Sequence, residues 1–361
     1  LNAKNYAMLN DKENIDVIDG VGSFASENSV LVTTPSGEKK IIEGDFIIIN
    51  SGSKEADVPF EVVSSNVFSS QTLLDLKNLP KHFVIIGSGF IGIEFASMFA
   101  NFGSKVTIVG RSKLLKNEDD DIANSVKEAL RVQGVEILEG CEIECIKENV
   151  LNFKQNGEQR CLRADAFLIA LGRVANVDDL NLRAAGVELN EKGFIKTNEN
   201  LQTNVPNIYA VGDVRGGELF TYTSLDDFRI VYSQIFGDKK RNTKNRSIHA
   251  NVLFTDTPLA RVGMSAKEAS KFGLNFKELK LSMATVPGAK VLNHDVGMLK
   301  AIVDAQSGEI LGASFHCIYA NELINEIAIA MNLKANANFF KNQIFTHPSI
   351  SEALNDLFGQ F

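Results

Sequence analysis

The rhythm of apolar and polar positions changes twice along the chain. Between Asn14 and Gly52, short apolar runs alternate with turn residues, and residues 15–18, 29–32 and 45–49 each read as a strand. From Phe83 the texture is different. Residues 83–86 form a continuous apolar run, the mark of a strand buried on both faces, and lead straight into Gly87-Ser88-Gly89-Phe90-Ile91-Gly92. A helix is predicted over 93–102 and closed by Gly103, then a strand over 105–109. A second helix is predicted over 121–133, with Ile122, Val126, Ala129 and Leu130 on one stripe, and a third strand over 135–138. Strand, helix, strand, helix, strand is the doubly wound α/β unit. Another buried strand over 165–170 ends at Leu171-Gly172-Arg173, and a loop-rich stretch leads to 207–213. From about Ser247 the pattern is mixed. Strands at 251–254, 299–303 and 310–315, the last two joined at Ser307-Gly308, and helices at 321–331 and 351–358 predict an α+β domain.

Length and charge narrow the class. A chain of 361 residues is too long for one core and predicts two or three domains. No apolar run reaches the ~20 residues of a membrane helix. A net charge of −8 offers no footprint for nucleic acid or an anionic membrane surface. Four cysteines are too few for a disulfide scaffold and point to a reducing compartment, the cytoplasm. Cys141 and Cys145 lie on an alternating, strand-like segment that would hold their Cα atoms ~13 Å apart, beyond the ~7 Å limit of a disulfide. They read as structural, and no metal site is predicted. The chain opens at Leu1 without the order of a signal peptide, and is read as the remainder of a longer protein.

The chemistry concentrates at Gly87-x-Gly89-x-x-Gly92. Following a buried strand and opening a helix, this is a dinucleotide fingerprint. Gly87 permits the tight turn, Gly89 lets the backbone approach a pyrophosphate, and Gly92 lets helix and strand pack closely. Phe90 and Ile91 belong to the helix N-terminus, whose free N–H groups and positive dipole end face the phosphates. The next strand ends Val109-Gly110-Arg111-Ser112-Lys113. The acid that would take a ribose 2′-hydroxyl is missing, and two cations follow, which suits the 2′-phosphate of NADPH over NADH. The alternative is that Arg111 and Lys113 are solvated loop charges.

Four motifs then stand in one order and resemble the class I pyridine nucleotide-disulfide oxidoreductases, the family of dihydrolipoamide dehydrogenase, glutathione reductase and mercuric reductase. They are Gly87 to Ala96, Ala170-Leu171-Gly172-Arg173, Thr203 to Val214, and Thr346-His347-Pro348-Ser349-Ile350-Ser351-Glu352. Residues 99–108, 220–227 and 343–349 resemble its bacterial reactive-chlorine-resistance flavoprotein branch in particular. The C-terminus, Phe358-Gly359-Gln360-Phe361, lacks the cysteine pair of a mercuric reductase. The resemblance implies a partial FAD-binding domain over 1–78 and 201–246, a Rossmann-like NAD(P)-binding domain over 79–200, and a dimerisation domain over 247–361. It implies FAD and NAD(P)H as cofactors and a homodimer acting on a disulfide, an oxidant or another small molecule. It further implies that Asp213, after Gly212, takes the FAD ribitol, and that Phe220, Thr221 and Tyr222 line the flavin ring. Ser51-Gly52 would lie near the flavin nucleotide, with Gly172 in the second glycine motif. Glu94 would stand near the nicotinamide and flavin; its plain alternative is a first-turn helix acid. His347 would be the acid/base of a disulfide site, oriented by Glu352. Its alternative is a loop packing feature, with Ser349-x-x-Glu352 as a capping box. The family's N-terminal glycine fingerprint and Cys-x4-Cys helix have no counterpart in these residues. Two competing readings are a flavin NAD(P)H oxidase or quinone reductase without disulfide chemistry, and a non-catalytic nucleotide-binding module.

Overall fold

The structure, a computed structural model, describes residues 2–12 and 14–361. The chain forms two compact units, residues 1–56 with 173–246, and residues 57–172 with 247–361.

The second unit holds the doubly wound sheet. Five parallel strands stand in the order Glu136–Leu138, Lys105–Val109, His82–Ile86, Ala166–Ile169 and Val67–Phe68. The central strand His82–Ile86 has both faces covered, which is why its run is continuously apolar instead of alternating. Helix Phe90–Asn101 ends as predicted. Gly103 follows the cap at φ +97°, and the Gly103 and Ser104 amides donate back to Ala100 O and Phe99 O. Helix Asp120–Val132 buries Ile122, Val126 and Leu130. Beside this lies a four-stranded sheet, Glu158–Arg163, Val150–Gln155, Cys141–Lys147 and Glu61–Val63. Cys141 and Cys145 share one strand, and all four cysteines are free.

The C-terminal part of this unit is a five-stranded antiparallel sheet, in the order Asn251–Leu253, Leu259–Gly263, Ile310–His316, Met298–Asp304 and Phe276–Ser282. Helices Ala320–Asn332 and Ala353–Gly359 close its core around Phe315, Ile324, Ile327, Leu354 and Phe358. An ionic hub joins this sheet to the start of helix Asp120–Val132. Lys300, 3% exposed, pairs with Asp119 at 2.8 Å, Glu278 at 2.9 Å and Asp121 at 3.0 Å. Asp119 also accepts from the amides of Ala266 and Lys267 at 3.0 Å each. Burial favours the neutral forms of Asp119, Asp121 and Glu278, but hydrogen bonds from Lys300, joined by Lys280 at Asp121 and Glu278, outweigh it, and all three titrate below their ordinary range.

The first unit carries an antiparallel meander, Val21–Ser26, Ser29–Thr33 and Lys39–Glu43. It also has a parallel pair, Ile47–Ile49 with Ile208–Ala210, and an antiparallel pair, Ser53–Glu55 with Arg173–Ala175. The expected strand over 15–18 is absent, because that apolar run finds no partner strand and leaves Ile15 and Ile18 exposed. The partner of Ser29–Thr33 is Val21–Ser26 instead. The strand expected over 45–49 is shortened to Ile47–Ile49. Helices Asn2–Asn10 and Thr221–Phe236 were not foreseen.

Candidate functional site

The fingerprint turn is built by contact distances. Gly87 sits at φ +127°, and a Cβ there would lie 2.2 Å from Ala170 O. A Cβ on Gly92 would lie 2.6 Å from Gly87 O and 3.2 Å from Ile85 Cγ2, the helix–strand approach its position requires. Gly89 differs: nothing lies within 4 Å of its Cβ position. It is the N-cap of helix Phe90–Asn101, no side chain caps that end, and the amides of Phe90, Ile91 and Gly92 face away from any intrahelical acceptor. An anion fits this end, in the space over Gly89. The expected result is that Gly87→Ala costs about 2–3 kcal/mol of stability, from left-handed backbone strain plus the clash. Gly89→Ala leaves stability within about 1 kcal/mol and weakens NADPH binding. Urea unfolding and NADPH titration of the two variants check the pair.

Strand Lys105–Val109 delivers Gly110, then Arg111 and Lys113, both exposed and neither held in an ion pair among the described residues. Gly172 is exposed at φ +122° with open space about it. Glu94 is the fifth residue of its helix, past the first turn, so the dipole does not account for it. Its Oε1 accepts from the Phe254 amide at 2.9 Å, and burial pushes its pKa up.

The flavin candidates lie in the first unit. Ser51 and Gly52 lie in the link between strands Ile47–Ile49 and Ser53–Glu55, with Gly52 at φ +74°. Arg173 braces it, donating to Ser53 Oγ and Ser53 O at 2.6 Å each, and Asn176 donates to Ser51 O at 3.2 Å. Ser53 Oγ in turn donates to Asp213 Oδ2 at 2.6 Å, so this link and Asp213 are one network, with no hydrogen bond to Oδ1 among the described residues. Gly212, at φ +66°, opens the short turn Gly212–Arg215. Phe220 caps helix Thr221–Phe236, without a side-chain bond to the cap, and stacks on Tyr222 with ring centroids 5.1 Å apart. Burial, helped by Glu218, pushes the Tyr222 phenol up to about 12. Two hydroxyls here, Ser51 Oγ and Thr223 Oγ1, are buried without a partner among the described residues. Orphaned buried hydroxyls, a left-handed glycine, a carboxylate oxygen without a hydrogen bond among the described residues and an uncapped helix start fit a ligand rich in hydroxyl and phosphate groups, as FAD is.

His347 and Glu352 meet. His347 Nδ1 stands 2.7 Å from Glu352 Oε2, with the His347 side chain 70% exposed and that of Glu352 19%. The Ser349 amide donates to Glu352 Oε1 at 3.3 Å and the Glu352 amide to Ser349 Oγ at 3.2 Å. The carboxylate thus serves the histidine and a reciprocal box at once. The box lies before the start of helix Ala353–Gly359 and closes the turn that leads into it. The His347–Pro348 peptide is cis.

Ser53 reaches Asp213 from 160 residues away and Arg173 reaches Ser53 from 120 residues away, and only a fold could reveal them. The motif Ala170-Leu171-Gly172-Arg173 held the one signal.

Comparison with known proteins gives the family. Residues 2–233 match the model of the pyridine nucleotide-disulphide oxidoreductase family, and residues 249–358 match its dimerisation domain. The chain is 43% identical over 99% of its length to a probable pyridine nucleotide-disulfide oxidoreductase, RclA, of Escherichia coli, covering 82% of it. It is 33% identical to a dihydrolipoyl dehydrogenase of Bacillus subtilis, over 96% of this chain and 76% of that one. A solved structure of the HOCl-induced flavoprotein disulfide reductase RclA in its Cu(II) complex superposes with a TM-score of 0.94 at 42% identity, over 99% of this chain and 82% of that one. No helix among the described residues is long and apolar enough to cross a membrane. The chain therefore belongs to the pyridine nucleotide-disulphide oxidoreductase family, and is an FAD-dependent NAD(P)H oxidoreductase of the flavoprotein disulfide reductase type.

Proposed function

We propose that this enzyme takes its reducing equivalents from NADPH and delivers them, through a redox disulfide served by His347, to a disulfide or oxidant substrate. The observation that carries this reading is the His347–Glu352 pair, 2.7 Å apart with the imidazole exposed. A carboxylate on Nδ1 leaves the far nitrogen, Nε2, to accept and return a proton at a thiol. FAD supplies the hydride relay when bound. Ser51, Gly52, Gly212 and Asp213 hold it, and Phe220, Thr221 and Tyr222 line its ring. Gly87, Gly89, Phe90, Ile91 and Gly92 take the dinucleotide pyrophosphate, with Gly172 and Glu94 beside the nicotinamide half. Arg111 and Lys113 take the 2′-phosphate. Residues 247–361 pair two copies in a cytoplasmic homodimer.

Anaerobic stopped-flow reduction of the flavin by NADPH and by NADH tests the cofactor side. Wild type is expected to favour NADPH. Arg111→Ser lowers kcat/KM for NADPH by about 10- to 100-fold, the worth of a charge-assisted phosphate contact, and leaves NADH within twofold. An equal effect on both cofactors overturns the assignment.

A further inference from the structure

The turn Gly212–Arg215, which carries Asp213, is fastened at both ends to one buried carboxylate. The Gly212 amide donates to Asp227 Oδ2 at 2.8 Å. From the other end of the turn, Arg215 donates to the same group through Nε at 2.7 Å and Nη2 at 3.0 Å. Arg246 Nη2 donates to Asp227 Oδ1, and Arg246 Nε holds Asp226 Oδ2 at 2.8 Å. Asp227 is fully buried. A buried carboxylate is costly unless its hydrogen bonds are met, and among the described residues every bond to its side chain comes from the motif turn or from Arg246. The turn has little room to relax otherwise. Gly212 is left-handed, and a Cβ on it would lie 2.8 Å from Ser224 Oγ and 3.1 Å from Asn50 Oδ1. Asp227 also shares a helix face with Thr223, four residues earlier, whose buried hydroxyl has no partner among the described residues.

We propose that Asp227 is a positioning residue for flavin binding: by tying the Gly212 amide to Arg215, it fixes the direction in which Asp213 presents its carboxylate to the ribityl hydroxyls. This rests on Asp213 being the flavin ligand. Asp227→Asn keeps a carbonyl for the Gly212 amide but turns an NH2 group toward a guanidinium, donor against donor. The clamp then opens while the shape is kept.

The test compares Asp213→Asn and Asp227→Asn with wild type by FAD titration, by the midpoint potential of the bound flavin, and by amide hydrogen exchange over residues 211–216. Both variants are expected to raise the FAD Kd at least tenfold and to move the potential in the same direction, which a mere loss of stability would not do. Asp227→Asn alone speeds exchange at Gly212 at least tenfold. If Asp213→Asn weakens FAD binding and Asp227→Asn binds within twofold of wild type, the positioning role is wrong. If Asp213→Asn itself binds within twofold, the reading of Asp213 fails instead, and the proposal with it. Should wild type take up no FAD, exchange decides, and an unchanged rate at Gly212 overturns the clamp. If Asp227→Asn does not fold, Arg215→Gln opens the other arm. The same tenfold weakening, or the same faster exchange, supports the proposal, and neither change overturns it.

Discussion

His347→Gln will slow disulfide-linked turnover by about 10²- to 10⁴-fold, the usual worth of a positioned acid/base, and leave flavin reduction by NADPH within twofold of wild type. The geometry divides the two half-reactions in this way. Glu352 holds Nδ1 at 2.7 Å, which places the proton on Nδ1 and leaves Nε2 as acceptor on an imidazole 70% exposed. Glutamine keeps the size and one hydrogen bond but cannot cycle a proton. Thiolate chemistry at a redox disulfide needs that cycle, because only the thiolate attacks and the leaving thiolate must be protonated. Hydride delivery from the dinucleotide does not. Rapid-scanning kinetics of the two halves reads both rates from one sample. Equal losses in both halves would place His347 in the structure instead of the chemistry.

Lys300→Met will lower the unfolding free energy by about 3–5 kcal/mol, the usual cost of leaving buried charges without their partner. Lys300 is 3% exposed and answers Asp119, Asp121 and Glu278. Methionine fills the same volume, so the loss is electrostatic. Lys280 still serves Asp121 and Glu278, but Asp119, 6% exposed, keeps only the Ala266 and Lys267 amides. Lys196→Met is the control: its pair with Glu188 is exposed on both sides, and its removal costs at most about 1 kcal/mol. The hub also sets a pH dependence. The three carboxylates have folded pKa values below their unfolded ones. Their contribution is therefore complete above about pH 5 and is lost as pH falls through the unfolded range near 4 toward the folded values. Glu118, pushed up by burial, opposes this in part. Denaturant unfolding at pH 7 and pH 4 should show a smaller acid loss in Lys300→Met than in wild type. A variant within 1 kcal/mol of wild type at pH 7 would contradict the hub's role.

The doubly wound sheet was legible because a strand covered on both faces is apolar without interruption, and because Gly87, Gly89 and Gly92 each answer a separate steric demand. Helix Thr221–Phe236, the longest among the described residues, was not. It blurs the usual code: it buries Thr223, Asp227 and Ser233 beside Ile230 and Val231, and leaves Leu225, Phe228, Tyr232 and Phe236 exposed. Apolar residues on both faces leave no clean stripe for a periodicity search. Strands such as Glu61–Val63 and Val67–Phe68 are too short to carry a period. The pair His347 and Glu352 was readable, since five residues of spacing can close within one turn. The bridge from Arg173 through Ser53 to Asp213 joins three distant segments and leaves no local pattern. Asp227 carries no signal of its own in the sequence, and only the fold brings Gly212 and Arg215 to it.

The decisive measurement is a thiol count under denaturing conditions on the protein isolated from its natural source, before and after anaerobic reduction with NADPH. A gain of a pair of thiols per flavin, above the free Cys141, Cys145, Cys161 and Cys317, is the predicted result. Flavin that bleaches with no gain in thiols would contradict disulfide chemistry and leave His347 without its partner.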